Sequence, residues 1–581
     1  MATAAIGTIL LTMVASQNVT TSMLIYGDDL DATTAAVMAA GGDVTHELGI
    51  IGAVAADLTA NERSTLEAQG LEMRSNRSVG VAGVSKSKKI KINKISKADD
   101  REWKKAEQKT KKLAKEWEKA AEEAVKAAEK AEKEAEKRRD RAAREQAKQA
   151  KEEAKSWERT LKEWNKEWAK DAFLRGTKPT FFPDLITTHD VHDANVTGEG
   201  VTIAIIDTGL MTDVGLRQGG KGRSRILSSY DARTDHELRW SEIVRGNDDN
   251  GHGSHVAAVA VSSRKIRGQH NGMAPDANLV AVKAFGESGE GTYADVIRGL
   301  DYILQNQERF NIRVVNLSFS AEPQSFYWDD PINQAVMRLW QAGIVVVASA
   351  GNTGPEAMTI GVPGNVPYVI TVGAMTDNYT PEDRSDDRLT FFTAAGPTFE
   401  GFVKPDFVAP GGHIRGVMPK YGHIARMYPQ FHDGGNYFAM SGTSQSSAVV
   451  TGLVALMLQA NPDLTPDQVK YRLQVASRPA VDKQGELVFS IFQQGAGLVD
   501  AYRAVFPQAA DGQANMGLDI DADIEGTAHF RGRANQDAAG NYYLEGLDGF
   551  MWNDGFMWND GFMWSDSLTE TMSINTWVPQ Q

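Results

Sequence analysis

Residues 201–209 read Val-Thr-Ile-Ala-Ile-Ile-Asp-Thr-Gly, and this stretch decides the fold. Its first six residues are apolar or β-branched at both alternating positions. That pattern predicts a strand buried on both faces, as in a parallel sheet covered by helices. Asp207 ends the run, so a carboxylate stands at the carboxyl end of the strand, where open α/β sheets place their sites. Working outward, similar short runs recur at Leu279 to Ala284, Val314 to Leu317, Ile344 to Ala348 and Val369 to Val372, with helical patterns between them. Residues 180–507 therefore read as an α/β domain, a parallel β-sheet with helices on both faces. Val449 to Gln459 is apolar nearly all round and predicts a buried helix.

Four residues of this domain could carry chemistry, and each is ambiguous alone. Asp-Thr-Gly also occurs in aspartic proteases, but those need two such carboxylates, and the chain has no second Asp-Thr-Gly or Asp-Ser-Gly. His252 lies in Gly-His-Gly-Ser-His-Val-Ala, ahead of a helical pattern. A metal reading with His255 lacks a His-Glu-x-x-His pattern and a third ligand. Ser444 lies in Met-Ser-Gly-Thr-Ser-Gln-Ser-Ser-Ala, just ahead of the expected buried helix. There it is either a helix cap or a hydroxyl held in the positive field of the helix start. Asn352, in Ala-Ser-Ala-Gly-Asn-Thr-Gly, follows the strand run at 344–348 and suits an ordinary turn.

Taken together, Asp, His, Asn and Ser in this order and these settings closely resemble the subtilisin-like serine proteases, the subtilases. The resemblance covers about residues 185–506 and includes Ala274-Pro275, Val314 to Ser320, Lys404-Pro405-Asp406 and Val408-Ala409-Pro410-Gly411. It implies Ser444 as nucleophile, His252 as general base and acid, and Asp207 as the carboxylate orienting the imidazole. The Asn352 amide and the Ser444 N–H would form the oxyanion hole. Protein or peptide substrate would add as an extended strand between Ser288 to Thr292 (Ser288, Gly289 and Gly291) and Ser318 to Ser320 (Ser318, Phe319 and Ser320). Backbone pairing of that kind tolerates many sequences. Gly351 would line the primary pocket. Two departures stand out: Ser318-Phe319-Ser320 where the family has Ser-Leu-Gly, and no proline in Ser444-Gln445-Ser446-Ser447-Ala448. The chemistry needs no cofactor. The family also implies structural calcium, although residues 262–271 do not match its usual calcium loop.

Residues 22–84 resemble the family's inhibitory, folding-assisting prodomain, an intramolecular partner that presents its C-terminal tail to the active site. The local pattern is a small α+β, ferredoxin-like unit: a strand at 22–26, a helix at 32–40, strands near 44–46 and at 53–58, and a helix after Thr59, which with Glu62 makes a capping box. Ala4 to Ala15 is an apolar stretch followed by small residues, so residues 1–21 read either as a cleaved secretory signal with an atypical, uncharged start or as a buried strand or an unusual start site. The signal reading gives a secreted or periplasmic protein, and no apolar run is long enough for a transmembrane segment.

The 581-residue chain has no cysteine and a net charge of −14, which excludes a disulfide scaffold and a thiol nucleophile. Charge is unevenly spread: residues 86–171 hold 29 Lys/Arg and 20 Asp/Glu, so a basic segment sits inside an acidic protein. This segment, 85–175, lacks Gly and Pro from Ala98 to Ala172 and carries heptad-spaced apolar residues, predicting a coiled coil or helical hairpin. A solvated linker and a self-associating or partner-binding surface both fit it. Its lysines are interleaved with glutamates instead of forming one basic face, which argues against nucleic-acid binding. Residues 508–581 form an acidic extension with three Gly-Phe-Met-Trp-Asn/Ser-Asp repeats at 549–566. Docking onto the enzyme, contact with an insoluble substrate or cell surface, and a free tail all fit these repeats.

The reading is a self-processing serine endopeptidase of broad specificity. Its rivals are a permanently inhibited protein of the same fold acting by binding, and a dedicated peptide-processing protease. Maturation near 80–90 or near 172–182 fits equally well, and only the first leaves the helical segment on the mature enzyme.

Overall fold

The computed structural model describes residues 20–81, 182–507, 512–537 and 541–544, apart from a few loop positions, of which 381–383 is the longest run. The possible signal stretch at 4–15, the helical segment 85–175 and the aromatic repeats lie outside the described residues.

The strand expected at 201–206 is β6 (Thr202–Asp207), buried at every position. It lies in the middle of a nine-stranded sheet. In chain order the sheet's strands are β6, β7 (Ile226–Asp231), β8 (His236–Glu237), β9 (Asn278–Lys283), β11 (Ile312–Leu317), β13 (Val345–Ser349), β14 (Ile370–Thr376), β15 (Arg388–Leu389) and β16 (Phe407–Pro410). The spatial order is β15-β14-β13-β11-β6-β9-β7-β8, with β16 also on β14. Seven of these strands run parallel, while β8 and β15 are short antiparallel edges. All five expected runs are strands, with ends shifted by a residue or two except in β14, which runs four residues further, to Thr376. Order reverses around β6, so the ends of β6, β11 and β13 open onto the crevice where such sheets bind ligands.

The helices packed about this sheet include α3 (His252–Val261), α4 (Tyr293–Gln305), α5 (Pro331–Gln341) and α6 (Thr443–Ala460). Both α3 and α6 are buried almost along their length. The helix expected at 449–459 starts earlier than that pattern suggested, so Ser444 lies inside the first turn of α6 and not ahead of it. The serines there can be helical because tertiary partners satisfy their hydroxyls: Ser446 Oγ donates to Ala409 O at 3.1 Å and Ser447 Oγ to Ser444 O at 2.9 Å.

Residues 21–75 form a separate antiparallel sheet from β1 (Thr21–Tyr26), β2 (Asp43–Leu48), β3 (Ala53–Leu58) and β4 (Glu72–Ser75), with α1 (Leu30–Ala40) and α2 (Ala60–Ala68). Strand order β2-β3-β1-β4 is the ferredoxin-like arrangement. Thr59 and Glu62 form the expected capping box of α2. Alternation along β1 sends Met23 and Ile25 into a small core shared with Val37 and Leu66 of the two helices, while Leu24 joins the large core of the main domain. The sheet is thus covered on both faces. Its outer face packs on α4, where His46 Nε2 lies 3.3 Å from Asp295 Oδ1 and Asp301 accepts backbone N–H bonds from Gly49 and Ile50.

Beyond the sheet, β5 (Ser78–Val81) runs antiparallel between β10 (Glu290–Thr292) and β12 (Phe319–Ser320), making a three-stranded sheet from distant parts of the chain. At the other end, residues 512–537 and 541–544 pack on the main domain. Asp523 is buried and accepts from both Tyr327 Oη and Tyr368 Oη, and Asn515 Oδ1 accepts from the buried Lys470.

Candidate active site

Asp207 leaves β6 with its side chain 1 % exposed. Its two carboxylate oxygens stand 2.8 and 2.9 Å from His252 Nδ1, and Oδ1 also accepts the Thr208 N–H at 2.7 Å. Nδ1 is therefore the protonated nitrogen, which leaves Nε2 as the basic one. Nε2 is buried and has no hydrogen-bond partner among the described residues. The first turn of α3 holds this imidazole close against the strand. A Cβ on Gly253 would lie 2.4 Å from the Gly209 carbonyl oxygen, so only glycine fits there.

Ser444 is fully buried, and its Oγ donates to Ser318 O at 3.1 Å. The helices of His252 and Ser444 meet at their first turns, since Gln445 Nε2 is 3.4 Å from His255 Nδ1. His255 is not free to bind a metal. Its Nε2 lies 3.2 and 3.1 Å from the carbonyl oxygens of Ile414 and Phe438. Burial above all, with the neighbouring His252, pushes its pKa down to about 3, so the ring is neutral and donates from Nε2.

Asn352 follows the Gly351 turn after β13 and is half-buried. Its Oδ1 accepts from Thr443 N at 3.0 Å and Thr443 Oγ1 at 2.9 Å. Pinning the oxygen this way leaves the amide N–H groups to serve an oxygen anion.

The expected substrate edges are both strands, although Ser288 lies exposed outside β10. Gly289 O accepts the Val81 N–H at 2.9 Å, and Gly291 pairs with Val79. Phe319 and Ser320 pair with Val81 and Gly80. Ser318 pairs with neither; its hydroxyl donates to Ser444 O at 3.1 Å and lies 3.0 Å from Ser447 Oγ. Gly351 and Gly361 both flank the Ser320 hydroxyl.

Three supporting residues gave no clear signal in the sequence. Asp248 accepts from Thr208 Oγ1, Gly251 N, Ser254 N and Ser254 Oγ, tying the start of α3 to the end of β6. Thr443 orients Asn352. Lys283, buried, gives its ammonium to Thr208 O beside Asp207. Asp248 could have been suspected from Asp-Asp-Asn-Gly-His, but that string reads equally as a turn.

For calcium, residues 262–271 form a short hairpin carrying Arg264, Lys265 and His270, a donor set that does not fit a hard cation. Among the described residues no group of three or more acidic or histidine side chains is placed to hold a metal ion. No helix among them is long and apolar enough to cross a membrane.

A buried carboxylate–imidazole pair at the carboxyl edge of a parallel sheet, and a buried serine in the first turn of a helix that meets the imidazole's helix, are the parts from which a serine hydrolase is built. A profile of the Subtilase family matches residues 198–497, and the chain belongs to that family. It is a subtilisin-like serine endopeptidase, and its chemistry requires no cofactor. Serine protease AprX of Bacillus subtilis is 38% identical over 316 residues, 53% of this chain and 67% of that protein. Subtilisin E of the same species is 29% identical over 289 residues, 49% of this chain and 62% of the relative. Among solved structures, fervidolysin from Fervidobacterium pennivorans, described as a keratinolytic enzyme related to subtilisin, matches with a TM-score of 0.53 at 18% identity. That match covers 84% of this chain and 61% of fervidolysin, and it supports the fold alone.

Proposed function

We propose that the chain is an exported, self-processing endopeptidase in which Ser444, His252, Asp207 and Asn352 do the chemistry. The carrying observation is the buried Asp207–His252 pair, with Nε2 left unpartnered at the turn that abuts Ser444. In this reading Nε2 takes the Ser444 proton as Oγ attacks the substrate carbonyl carbon. Asp207 steadies the imidazolium that forms, and the Asn352 amide and the Ser444 N–H receive the oxyanion. His252 then protonates the departing amine, and water hydrolyses the acyl-enzyme by the same route. Before that, the Ser444 hydroxyl must leave the Ser318 carbonyl.

Residues 22–84 act as the intramolecular inhibitor. Support comes from β5, which fills the position between β10 and β12 where a substrate strand would add, and from the packing of the ferredoxin-like sheet on α4. Backbone pairing on those two edges gives broad tolerance along most of the substrate. Export is supported by the apolar stretch at 4–15, and calcium has no assigned residues in this reading.

The test compares wild type with Ser444→Ala by intact mass and by labelling with a serine-directed phosphonate. Shortening and stoichiometric labelling of the wild type alone are expected. If both stay full length and neither is labelled, the protein acts by binding, in the inhibited state that β5 suggests.

A further inference from the structure

The chain held on the β10 edge begins one residue before β5. The Arg77 carbonyl oxygen accepts the Tyr293 N–H at 2.9 Å, so the pairing of Ser78 with Thr292 continues to the first residue of α4. From there the Arg77 side chain reaches three groups of the catalytic domain. Its Nη2 donates to the Glu322 carbonyl oxygen at 2.7 Å, and Nη1 stands 3.8 Å from Asp330 Oδ2. Its Cζ lies over the Tyr293 ring, 5.0 Å from the centroid. Ser444 lies past the other end of β5, because its Oγ is held by Ser318, the neighbour of the Phe319 that pairs with Val81.

The groups that receive Arg77 are fixed by their own domain. Asp330 caps α5, its Oδ1 accepting from Ile332 N at 3.0 Å and Asn333 N at 3.3 Å, while Oδ2 accepts from Tyr293 Oη at 2.9 Å. Three accepted bonds favour the ionised carboxylate. Asp330 and Tyr293 are both buried, and a buried charge is costly unless paired. The loop 321–330 contains Glu322, Asp329 and Asp330 and no basic residue, so the cation here is brought by the N-terminal unit. A guanidinium suits the site: its flat fork serves a carbonyl and a carboxylate at once while its face covers the ring, whereas an ammonium has a single nitrogen.

We propose that Tyr293, Asp330 and the Glu322 carbonyl form a binding site for an arginine side chain, far along the substrate strand from the cut bond. Arg77 fills it in the full chain, and an arginine of the substrate fills it in the protease freed of its inhibitory unit. The inference rests on the reading of residues 22–84 as that releasable unit. The tolerance given by backbone pairing then ends at this position, where the enzyme selects polypeptides with an arginine just ahead of an extended stretch. The Tyr293 N–H, which holds the Arg77 carbonyl, would hold the substrate arginine's carbonyl in the same way.

The test uses protein expressed as the full chain and allowed to mature. It is given peptides of one otherwise uniform sequence in which Arg, Lys or Gln is moved stepwise away from the cut bond. Arg should raise kcat/KM over Gln by about fivefold or more at a single position, mainly through KM. At least the four residues that correspond to β5 should lie between that position and the bond. Lys should gain less than Arg. Asp330→Asn keeps an oxygen for the N–H groups that begin α5 and removes the charge, so its Arg-to-Gln ratio should fall toward one; phosphonate labelling of Ser444 shows that this variant is folded. Equal wild-type rates for Arg and Gln at every position, or an undiminished ratio in labelled Asp330→Asn, overturn the inference and leave the protease reading intact. No cleavage of any peptide together with no labelling of the wild type overturns the release of the inhibitory unit, and this inference with it.

Discussion

Ser444 Oγ donates to the Ser318 carbonyl oxygen at 3.1 Å, and Ser318 directly precedes the edge strand on which the chain's own residues 80–81 are paired. The hydroxyl is thus held at the inner end of an edge on which a strand is paired. Three things coincide there: the helix start of α6, the carboxyl end of β11, and the register of an added strand. Ser444→Ala deletes only the oxygen. Turnover should fall on the order of 10⁶-fold, a magnitude carried over from subtilisin. The lost buried hydrogen bond should change stability by only about 1 kcal/mol. Intact mass and a denaturant midpoint read the two effects separately, and a large loss of stability would mean the serine is structural.

Asn352 and Thr443 form a second coupled pair. Asn352→Leu should lower kcat about 10²- to 10³-fold, the range known for this donor in subtilisin, with KM little changed. Thr443 acts through Asn352 by holding Oδ1. Thr443→Val should therefore lower kcat by about tenfold at nearly constant KM, and Thr443→Ser should restore it. A Thr443→Val variant that raises KM with kcat intact would refute the positioning role.

Asp248 ties the start of α3 to Thr208 through four accepted hydrogen bonds. Replacing it with Ala leaves buried N–H groups without an acceptor, at about 1–3 kcal/mol each where water cannot enter. Asp248→Ala should lower both stability and kcat, while Asp248→Asn, able to accept two of the bonds, should recover part of each. Denaturant midpoints and steady-state kinetics on the same samples check this. A variant that keeps full stability and loses only activity would point instead to a direct role in the chemistry.

These pairs mark where the sequence was legible. Strands β6, β9 and β13 could be read because both faces are buried, so their inner residues are apolar in succession and polar ones stand only at the ends. Asp207, His252, Asn352 and Ser444 stood out because each sits in its own motif. β5 is four residues, Ser-Val-Gly-Val, with no periodicity, and it exists only by pairing with residues more than 200 positions away. The early start of α6 was hidden because its serines look like a cap, and only the Ala409 carbonyl and neighbouring residues make them helical. Asp248 and Thr443 carry no distinctive pattern because their work is to hold a neighbour.

His255 gives the fold a defined response to acid. It is fully buried, and burial pushes its pKa down from 6.5 to about 3. The unfolded chain takes up a proton at this ring as pH falls below about 6.5, while the folded protein resists doing so until about pH 3. Between those values the unfolded state binds more protons, so stability rises with pH across the window and is fully present above it. This ring should contribute about 1.4 kcal/mol per pH unit between roughly pH 6 and pH 4. His192, whose pKa burial likewise lowers to about 4, acts in the same direction. Asp387, whose pKa burial raises to about 7, acts in the opposite direction, so the ring is isolated by comparison. From pH 7 to pH 4 the urea midpoint of Ser444→Ala, in which self-digestion cannot interfere, should fall steadily relative to that of Ser444→Ala/His255→Gln. The loss of structure should begin where α3 and α6 meet, because protonated His255 can no longer accept from Gln445. A difference between the two proteins that stays flat across this range would mean that His255 titrates like an exposed histidine, and the contact between the two helix starts would lose its role in stability.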